Sequence, residues 1–451
     1  MRETLKGRCY SGYHFNIRKE YIVSLCLNED SVLLYKVSKV GKGNFIAISR
    51  IIRIYRKSDG EVRYILPIKL EIIKGLGLRL PCDLEIEILD RRSRGYKPDA
   101  FPYKNKIDVV SLIDDNAFTC IPYGEKLFLF KQGKGRGGSS IIPVPRFIKI
   151  DNFLLWNMGF YLAEGLKKNE HRISVSNSEW YLIKRFLVFV RKYLGIEEKN
   201  IFLHIRVDDE KKRIRAVRFW SEKLNLKKDR LRASKMNVRP PKAEHGNAEL
   251  VIYNTSLSYV FMSLFDRILT LELKREGTLN LIRGIEAGDG YVMDHGGIEI
   301  GVVSDKKYSG IVFNLFNQVC PDARIRDHHT SENAKIVFCK GRKIAMSFLL
   351  DGHFLEHEKR RARLIELLRY YLRKDMKYMS LVNEGNTVRG VSKGCCVSFR
   401  AANSMLKKLE RDGFVRKTHA YIKSKRTERE YKTREFELTE MGKKLLKYLC
   451  I

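Results

Sequence analysis

The sequence predicts an α+β protein with an internally duplicated centre, a β-rich segment before it and a winged-helix pattern after it. Three observations carry that expectation. Two apolar helical stretches, Met158-Gly-Phe-Tyr-Leu-Ala-Glu-Gly165 and Leu281-Ile-Arg-Gly-Ile-Glu-Ala-Gly-Asp-Gly290, each end in an acid followed by glycine. Each is followed by polar–apolar strand patterns and an amphipathic helix, such as residues 180–194, so the two halves repeat one plan. The last ninety or so residues read helix, helix, basic alternating strands, helix.

Composition bounds the function. With 451 residues the chain exceeds one ordinary core, and two to four domains are expected. A hydrophobic fraction of 44% excludes wholesale disorder. The 87 Lys and Arg against 53 Asp and Glu give a net charge of +34, a field that attracts polyanions. Nucleic acid is the first candidate partner, since neutralising phosphates releases counterions. No run of about 18 apolar residues occurs, which excludes a transmembrane helix. The charged start lacks a secretory apolar core, and the nine cysteines form no C-x-x-C pair. A soluble, cytoplasmic, nucleoid-associated protein without structural zinc or disulfides is expected.

From the N-terminus, residues 31–89 read as β-rich. Residues 33–40 and 44–54 are rich in β-branched side chains around Gly41-Lys-Gly43. Then come Val62-Arg-Tyr-Ile-Leu-Pro67, a short helix over 68–76, Gly77, and the strand Asp83-Leu-Glu-Ile-Glu-Ile88. Strand, proline, short helix, Gly-Leu, strand resembles the swapped-hairpin DNA-binding fold of bacterial and archaeal transition-state regulators. Those proteins pair such hairpins as dimers, so the resemblance implies that a dimer can form through this domain; an unrelated small barrel is the alternative. Gly133-Lys-Gly-Arg-Gly-Gly-Ser-Ser140 lacks the Gly-Lys-Ser/Thr ending of a phosphate loop and reads as a flexible basic linker. The organisation expected is a β-rich domain over 1–92, a β-containing connector and linker over 93–149, the duplicated core over 150–358, and a connector helix plus winged helix over 359–451.

Within the core, Gly159 with Ala163 and Gly284 with Gly288 are small residues at helical spacing, which lets helix backbones approach closely. Gly165 and Gly290 let each chain turn out of its helix. Glu164 and Asp289 would then meet side by side. Two such carboxylates repel, and a hard divalent cation removes that penalty. A plain helix-capping role fits poorly, because an acid at a helix C-terminus opposes the macrodipole.

Both motifs match the LAGLIDADG consensus, and residues 152–358 resemble a two-repeat, monomeric LAGLIDADG homing endonuclease. The resemblance implies a pseudo-twofold αββαββα core with two saddle-shaped antiparallel sheets over double-stranded DNA. It implies Mg²⁺ (or Mn²⁺) held by Glu164 and Asp289 with the backbone of Gly165 and Gly290. It also implies a basic residue near the metal, a place that Lys340 matches; the equivalent position in the first repeat, near Asn254, has no lysine. An intron-associated gene is a further implication of the family.

Strand alternation nominates DNA-facing side chains. His204 and Arg206 alternate with Leu203 and Ile205, Arg213 and Arg215 share a face with Val217 against Ile214 and Ala216, and Arg324, Arg326 and His328 oppose Ile325. Arg172 belongs with them, although a solvated sheet face gives the same pattern. His353 and His357, four apart, lack the surroundings of a zinc protease and read as solvated or DNA-facing. Residues 357–377 read as an amphipathic connector helix with Leu364, Leu368, Tyr371 and Leu372 on one face. Residues 397–409 read as a helix burying Ala401, Met405, Leu406 and Leu409, with Gly413 as its cap, and the closing helix spans 439–449. Arg400 and Lys407 on that helix, with Lys425 and Arg426 in a wing tip over 423–429, are candidate DNA contacts.

The expected function is site-specific, Mg²⁺-dependent cleavage of double-stranded DNA. Two alternatives stand beside it: a non-catalytic transcriptional regulator on the same scaffold, and a maturase acting on intron RNA.

Overall fold

The computed structural model describes residues 3–10, 12–39, 42–55, 62–114, 117–132, 143–167, 171–236, 243–293, 297–303, 306–328, 331–340, 342–423 and 430–449. The glycine-rich stretch 133–140 and the residues His329, Lys425 and Arg426 lie outside them. The chain divides into two compact units, Met1–Leu273 and Lys274–Ile451, with the boundary falling between the two repeats. No described helix is long and apolar enough to cross a membrane.

The first unit opens with β1 (Glu3–Tyr10), β2 (His14–Ile17), α1 (Lys19–Ser24), β3 (Ser31–Lys39), β4 (Lys42–Arg50), β5 (Ile52–Tyr55), β6 (Val62–Pro67), α2 (Leu70–Gly75) and β7 (Cys82–Ser93). Its seven strands form one sheet in the order β4-β3-β7-β1-β2-β6-β5. The strand–short helix–strand unit foreseen at residues 62–88 occurs twice. Both helices have six residues, and the residues before them, Arg18 and Lys69, share extended dihedrals (φ −65, ψ 145 and φ −66, ψ 144). Both helices are followed by a left-handed residue, Cys26 (φ 45) and Gly77 (φ 56). In each, the next amide closes back onto the helix, Leu27 to the Ile22 carbonyl at 2.9 Å and Leu78 to Ile73 at 3.0 Å. Equivalent strands pair with each other, β2 with β6 and β3 with β7. Leu5, Phe15, Leu33, Tyr35, Leu66, Ile72 and Ile86 fill the core between the copies. The two units thus pair with each other within one chain.

Short strands follow: β8 (Lys106–Asp108), β9 (Phe118–Tyr123), β10 (Lys126–Lys131), β11 (Val144–Pro145) and β12 (Phe147–Lys149). A buried ion pair, Asp108 with Arg146 at 3.1 Å, fixes this segment.

The first repeat runs α3 (Asn152–Glu164), β13 (Arg172–Asn177), α4 (Trp180–Leu194), β14 (Phe202–Val207), α5 (Arg213–Leu224), β15 (Leu231–Lys235), β16 (Asn247–Tyr253) and α6 (Thr255–Leu269). Trp156, Phe160, Tyr161, Phe186, Phe189, Phe261 and Phe265 are fully buried among α3, α4 and α6. Each such side chain contributes roughly 1.5–3 kcal/mol relative to exposure.

Two expectations need correcting here. Against αββαββα, the repeat carries an additional helix and strand, α5 and β15, between β14 and β16, and has only an isolated bridge, Gly165 with Val175, in place of its first strand. Its four-stranded sheet, β13-β16-β14-β15, includes a parallel pair, β14 with β15, so it is not wholly antiparallel. Arg213 and Arg215 sit on helix α5 rather than a strand. The alternation Arg-Ile-Arg-Ala-Val-Arg imitates a strand, yet Ala216, Trp220 and Leu224, spaced by four, are the buried residues, while Ile214 is 85% exposed. A face repeating every four residues is helical.

The second unit holds α7 (Arg275–Asp289), β17 (Tyr291–Val292), β18 (Gly297–Val303), α8 (Lys306–Val319), β19 (Arg324–His328), β20 (Ser331–Lys340) and α9 (Arg342–Leu350), which is the αββαββα order with an all-antiparallel sheet β17-β18-β20-β19. Then come α10 (Glu358–Asn383), α11 (Val388–Cys395), α12 (Phe399–Arg411), β21 (Val415–Lys423), β22 (Glu430–Leu438) and α13 (Glu440–Leu449). Leu364, Leu368 and Leu372 of α10 are buried, whereas Tyr371 is partly exposed. On α12 the buried residues are Ala402, Leu406 and Leu409, the stripe at i, i+4 and i+7, which leaves Ala401 facing solvent; the helix starts two residues later than expected, after the Ser398 cap. Gly413 takes the left-handed cap (φ 80), and Thr439 caps α13.

Candidate functional site

Glu164 is the last residue of α3 and Asp289 the last of α7, each half-buried. Asp151 starts α3 by accepting the Leu154 amide at 3.0 Å, and the Tyr193 hydroxyl donates to its carboxylate at 2.6 Å. Burial, and then the Asp151 carboxylate, push the Tyr193 phenol up. At the other end of α3 the Tyr161 hydroxyl donates to the Leu166 carbonyl at 2.7 Å and fixes the chain's exit. Asn177 Nδ2 donates to Glu164 Oε1 at 2.6 Å, while its own Oδ1 accepts the Glu179 amide at 2.8 Å.

The glycines after the acids serve a different purpose from the one expected. Gly165 (φ −82) and Gly290 (φ −71) are extended, not left-handed. They are required by space. A Cβ on Gly165 would lie 2.4 Å from the Tyr161 carbonyl oxygen, and one on Gly290 would lie 2.6 Å from the Glu286 carbonyl oxygen and from the Phe354 ring. Of the small helical residues, Gly159, Gly284 and Gly288 are buried and Ala163 is half-buried.

The end of α7 is anchored by residues that sequence reasoning left unassigned or misplaced. His353 and His357 are buried, not solvated. His353 Nδ1 lies 2.5 Å from Oε1 of the fully buried Glu286, and its ring stacks on Phe348 at 4.0 Å. His357 caps α10 through the Arg360 amide. A buried carboxylate needs such partners, since desolvation is otherwise costly.

One face of the first repeat's sheet is basic. Arg172 and Arg206 both pair with the buried Glu249, at 3.5 and 3.0 Å. His204 sits across from Glu249 on β16 and from Arg232 on β15. Burial lowers the His204 pKa; Glu249 opposes that shift, and Arg232, Arg172 and Arg206 reinforce it. A groove of about 1140 Å³ runs along this face, lined by His204, Arg206, Arg213, Arg218, Arg232 and Glu249 among others. Arg232 and Glu249 were missed by sequence reasoning, although Leu231-Arg-Ala-Ser-Lys alternates as a strand should. Arg213 and Arg215 pair with Glu210 and Glu244 beside the inserted helix.

In the second repeat Arg324 is exposed, and Arg326 pairs with Glu299 and lies over the Phe338 ring. His328 ends β19 and Lys340 ends β20. Ile325 is 41% exposed, so that strand does not bury it as expected. At the position equivalent to Lys340, Asn254 caps α6 by accepting the Leu257 amide at 2.8 Å. Arg400 and Lys407 are exposed on α12. Among the described residues no group of three or more His, Cys, Asp or Glu side chains is arranged to hold a metal.

No family model matches the chain, and no curated protein matches it. Solved structures give distant similarities. A mesophilic variant of the homing endonuclease I-DmoI is 15% identical, covering 44% of this chain and 93% of its own, with a TM-score of 0.27. I-DmoI in complex with DNA and Mn is 16% identical over 42% of this chain and 88% of its own, TM-score 0.25. Full-length DUF199/WhiA from Thermatoga maritima is 14% identical over 58% of this chain and 91% of its own, TM-score 0.28. The fold described above stands on the chain's own elements.

Proposed function

We propose that this chain is a site-specific endonuclease that hydrolyses phosphodiester bonds in double-stranded DNA with Mg²⁺ or Mn²⁺. One observation carries the reading: twice in the chain, a helix ends on a half-buried acid followed by a glycine whose Cβ would collide with the helix end. An acid at a helix C-terminus adds negative charge to a negative pole, so the arrangement works against local stability. Repeating it at the head of two sheets of basic strands makes sense where a cation and a polyanion meet.

In this reading Glu164 and Asp289 are the metal-binding acids, one from each repeat. Their carboxylates, with the carbonyls of Gly165 and Gly290, are the hard oxygen donors that Mg²⁺ prefers. A bound ion would supply an activated water and neutralise developing phosphate charge. The protein's own residues do the rest. Asn177 orients Glu164. Lys340, at the end of β20, is the basic residue assigned to the reacting phosphate. Arg172, His204, Arg206, Arg324, Arg326 and His328 are the strand residues assigned to DNA contact, with Arg213 and Arg215 contributing from α5. Arg400 and Lys407 add phosphate contacts from α12.

A second reading, a regulator that binds without cutting, draws on the duplicated N-terminal domain and on the α11–α12 pair with its β21–β22 hairpin, two modules beyond what cleavage needs. The test uses the full chain and a supercoiled plasmid carrying DNA that flanks its own gene, with Mg²⁺ or with EDTA. Cutting that needs Mg²⁺ and is abolished in Asp289→Asn is expected. If that variant cuts as well as wild type, the site assignment is wrong. Tight binding without cutting favours the regulator, and preferential competition by structured intron RNA favours the maturase.

A further inference from the structure

Arg360 lies in the first turn of α10, and its guanidinium reaches the C-terminal end of α7. Nη1 donates to the carbonyls of Glu286 at 2.5 Å and Ala287 at 3.0 Å, and Nη2 donates to Gly288 at 2.8 Å. These three residues immediately precede Asp289. The Glu286 carbonyl also accepts the Gly290 amide at 3.0 Å, the last carbonyls of a helix lack donors four residues on, and a cation there meets the negative pole of the helix. On the same turn Glu286 holds His353 Nδ1 and accepts the Phe354 amide at 3.3 Å. Residues 353–360 thus grip the turn that carries Asp289 through both its side chains and its backbone.

Helix α10 is fastened again further along its length. Arg369 Nε donates to the Leu449 carbonyl of α13 at 2.7 Å. Buried Asp375 pairs with Lys408 of α12 at 3.5 Å. Along α10 these attachments lie about 14 Å (Arg369) and about 22 Å (Asp375) from Arg360.

We propose that Arg360 is a positioning residue. It fixes the backbone from which Asp289 projects, and it makes α10 the link between that carboxylate and the winged helix. The proposal rests on the nuclease reading. A group that orients a metal-binding carboxylate controls metal affinity without touching the metal.

The experiment compares full-length wild type, Arg360→Met and Arg360→Lys. The first readout is plasmid cleavage across a Mg²⁺ titration, with and without added guanidinium ion. The second is amide hydrogen exchange over residues 286–290. The third is affinity for the same DNA in Ca²⁺. For Arg360→Met we expect the half-saturating Mg²⁺ concentration to rise about 10-fold or more. DNA affinity should be unchanged and exchange at 286–290 faster, with the cleavage defect partly restored by guanidinium and milder in Arg360→Lys. An unchanged Mg²⁺ requirement in Arg360→Met overturns the proposal, and so does unchanged exchange. A general folding defect would weaken DNA affinity and resist guanidinium rescue, which also overturns it. If wild type never cuts, the nuclease reading falls instead, and the exchange comparison still decides whether Arg360 holds the turn.

Discussion

Glu286 and His353 face each other in the interior of the second unit, Oε1 to Nδ1 at 2.5 Å, with neither side chain reaching solvent. Removing one partner strands the other in a medium that solvates it poorly. His353→Leu should cost roughly 3–5 kcal/mol. Replacing both with leucine should cost less than the two single changes together. Urea unfolding of the four proteins checks this, and simple additivity would mean that the two groups do not support each other.

Asn177 gives the clearest test in the first repeat, because it touches Glu164 directly at 2.6 Å. Asn177→Ala should slow cleavage by about 10- to 100-fold. Affinity for the site should hold, since the amide faces the carboxylate rather than the sheet's basic face. Strand-specific nicking assays alongside binding isotherms separate the two effects.

His204 should make DNA binding depend on pH. In the free protein burial, and then Arg232, Arg172 and Arg206, hold its pKa below the usual value. The unfolded chain therefore takes up the proton first, and folding loses stability as pH falls below about 6.5. Phosphates on those arginines reverse the local field, so the DNA complex binds a proton that the free protein does not. Affinity should rise as pH falls through the same range, and His204→Gln should flatten the profile. Anisotropy titrations at fixed ionic strength would show it; a wild-type profile already flat would remove His204 from the interface.

Arg400 and Lys407 are exposed on α12, the second helix of the pair preceding the β21–β22 hairpin. If both meet phosphates, changing both to alanine should weaken binding to any sequence. The slope of log affinity against log salt should fall by about 0.9 for each contact, roughly 2 in all. A slope equal to wild type would place α12 away from the DNA.

Legibility in the sequence follows the range of the forces involved. Helix α4 was readable to the residue, because Leu182, Phe186, Phe189 and Tyr193 recur at helical spacing and Gly195 takes the left-handed cap (φ 66). The acids at 164 and 289 were readable as helix ends because glycine follows each. Helix α5 was misread: its charges alternate like a strand's, and the weaker signal of Ala216, Trp220 and Leu224 was the decisive one. Arg360 was invisible for a different reason. Its partners are backbone carbonyls more than seventy positions away, and backbone carbonyls carry no sequence signature. Glu249, likewise, acquires meaning only when β13 and β14 bring Arg172 and Arg206 to either side of it. One N-terminal unit was recognised and its twin was not. The twin lacks the proline and glycine that marked the first, having Asn16 and Cys26 at those places, with Cys26 left-handed (φ 45) like Gly77 (φ 56).

That twinning has a consequence for how the N-terminal domain can change over time. Two halves joined by a peptide chain meet at a frequency that dilution does not alter, so the domain assembles without waiting for a second molecule. They are also freed from being identical. A mutation in α1 leaves α2 as it was, and a surface built from both can become lopsided without disturbing the pairing of β2 with β6.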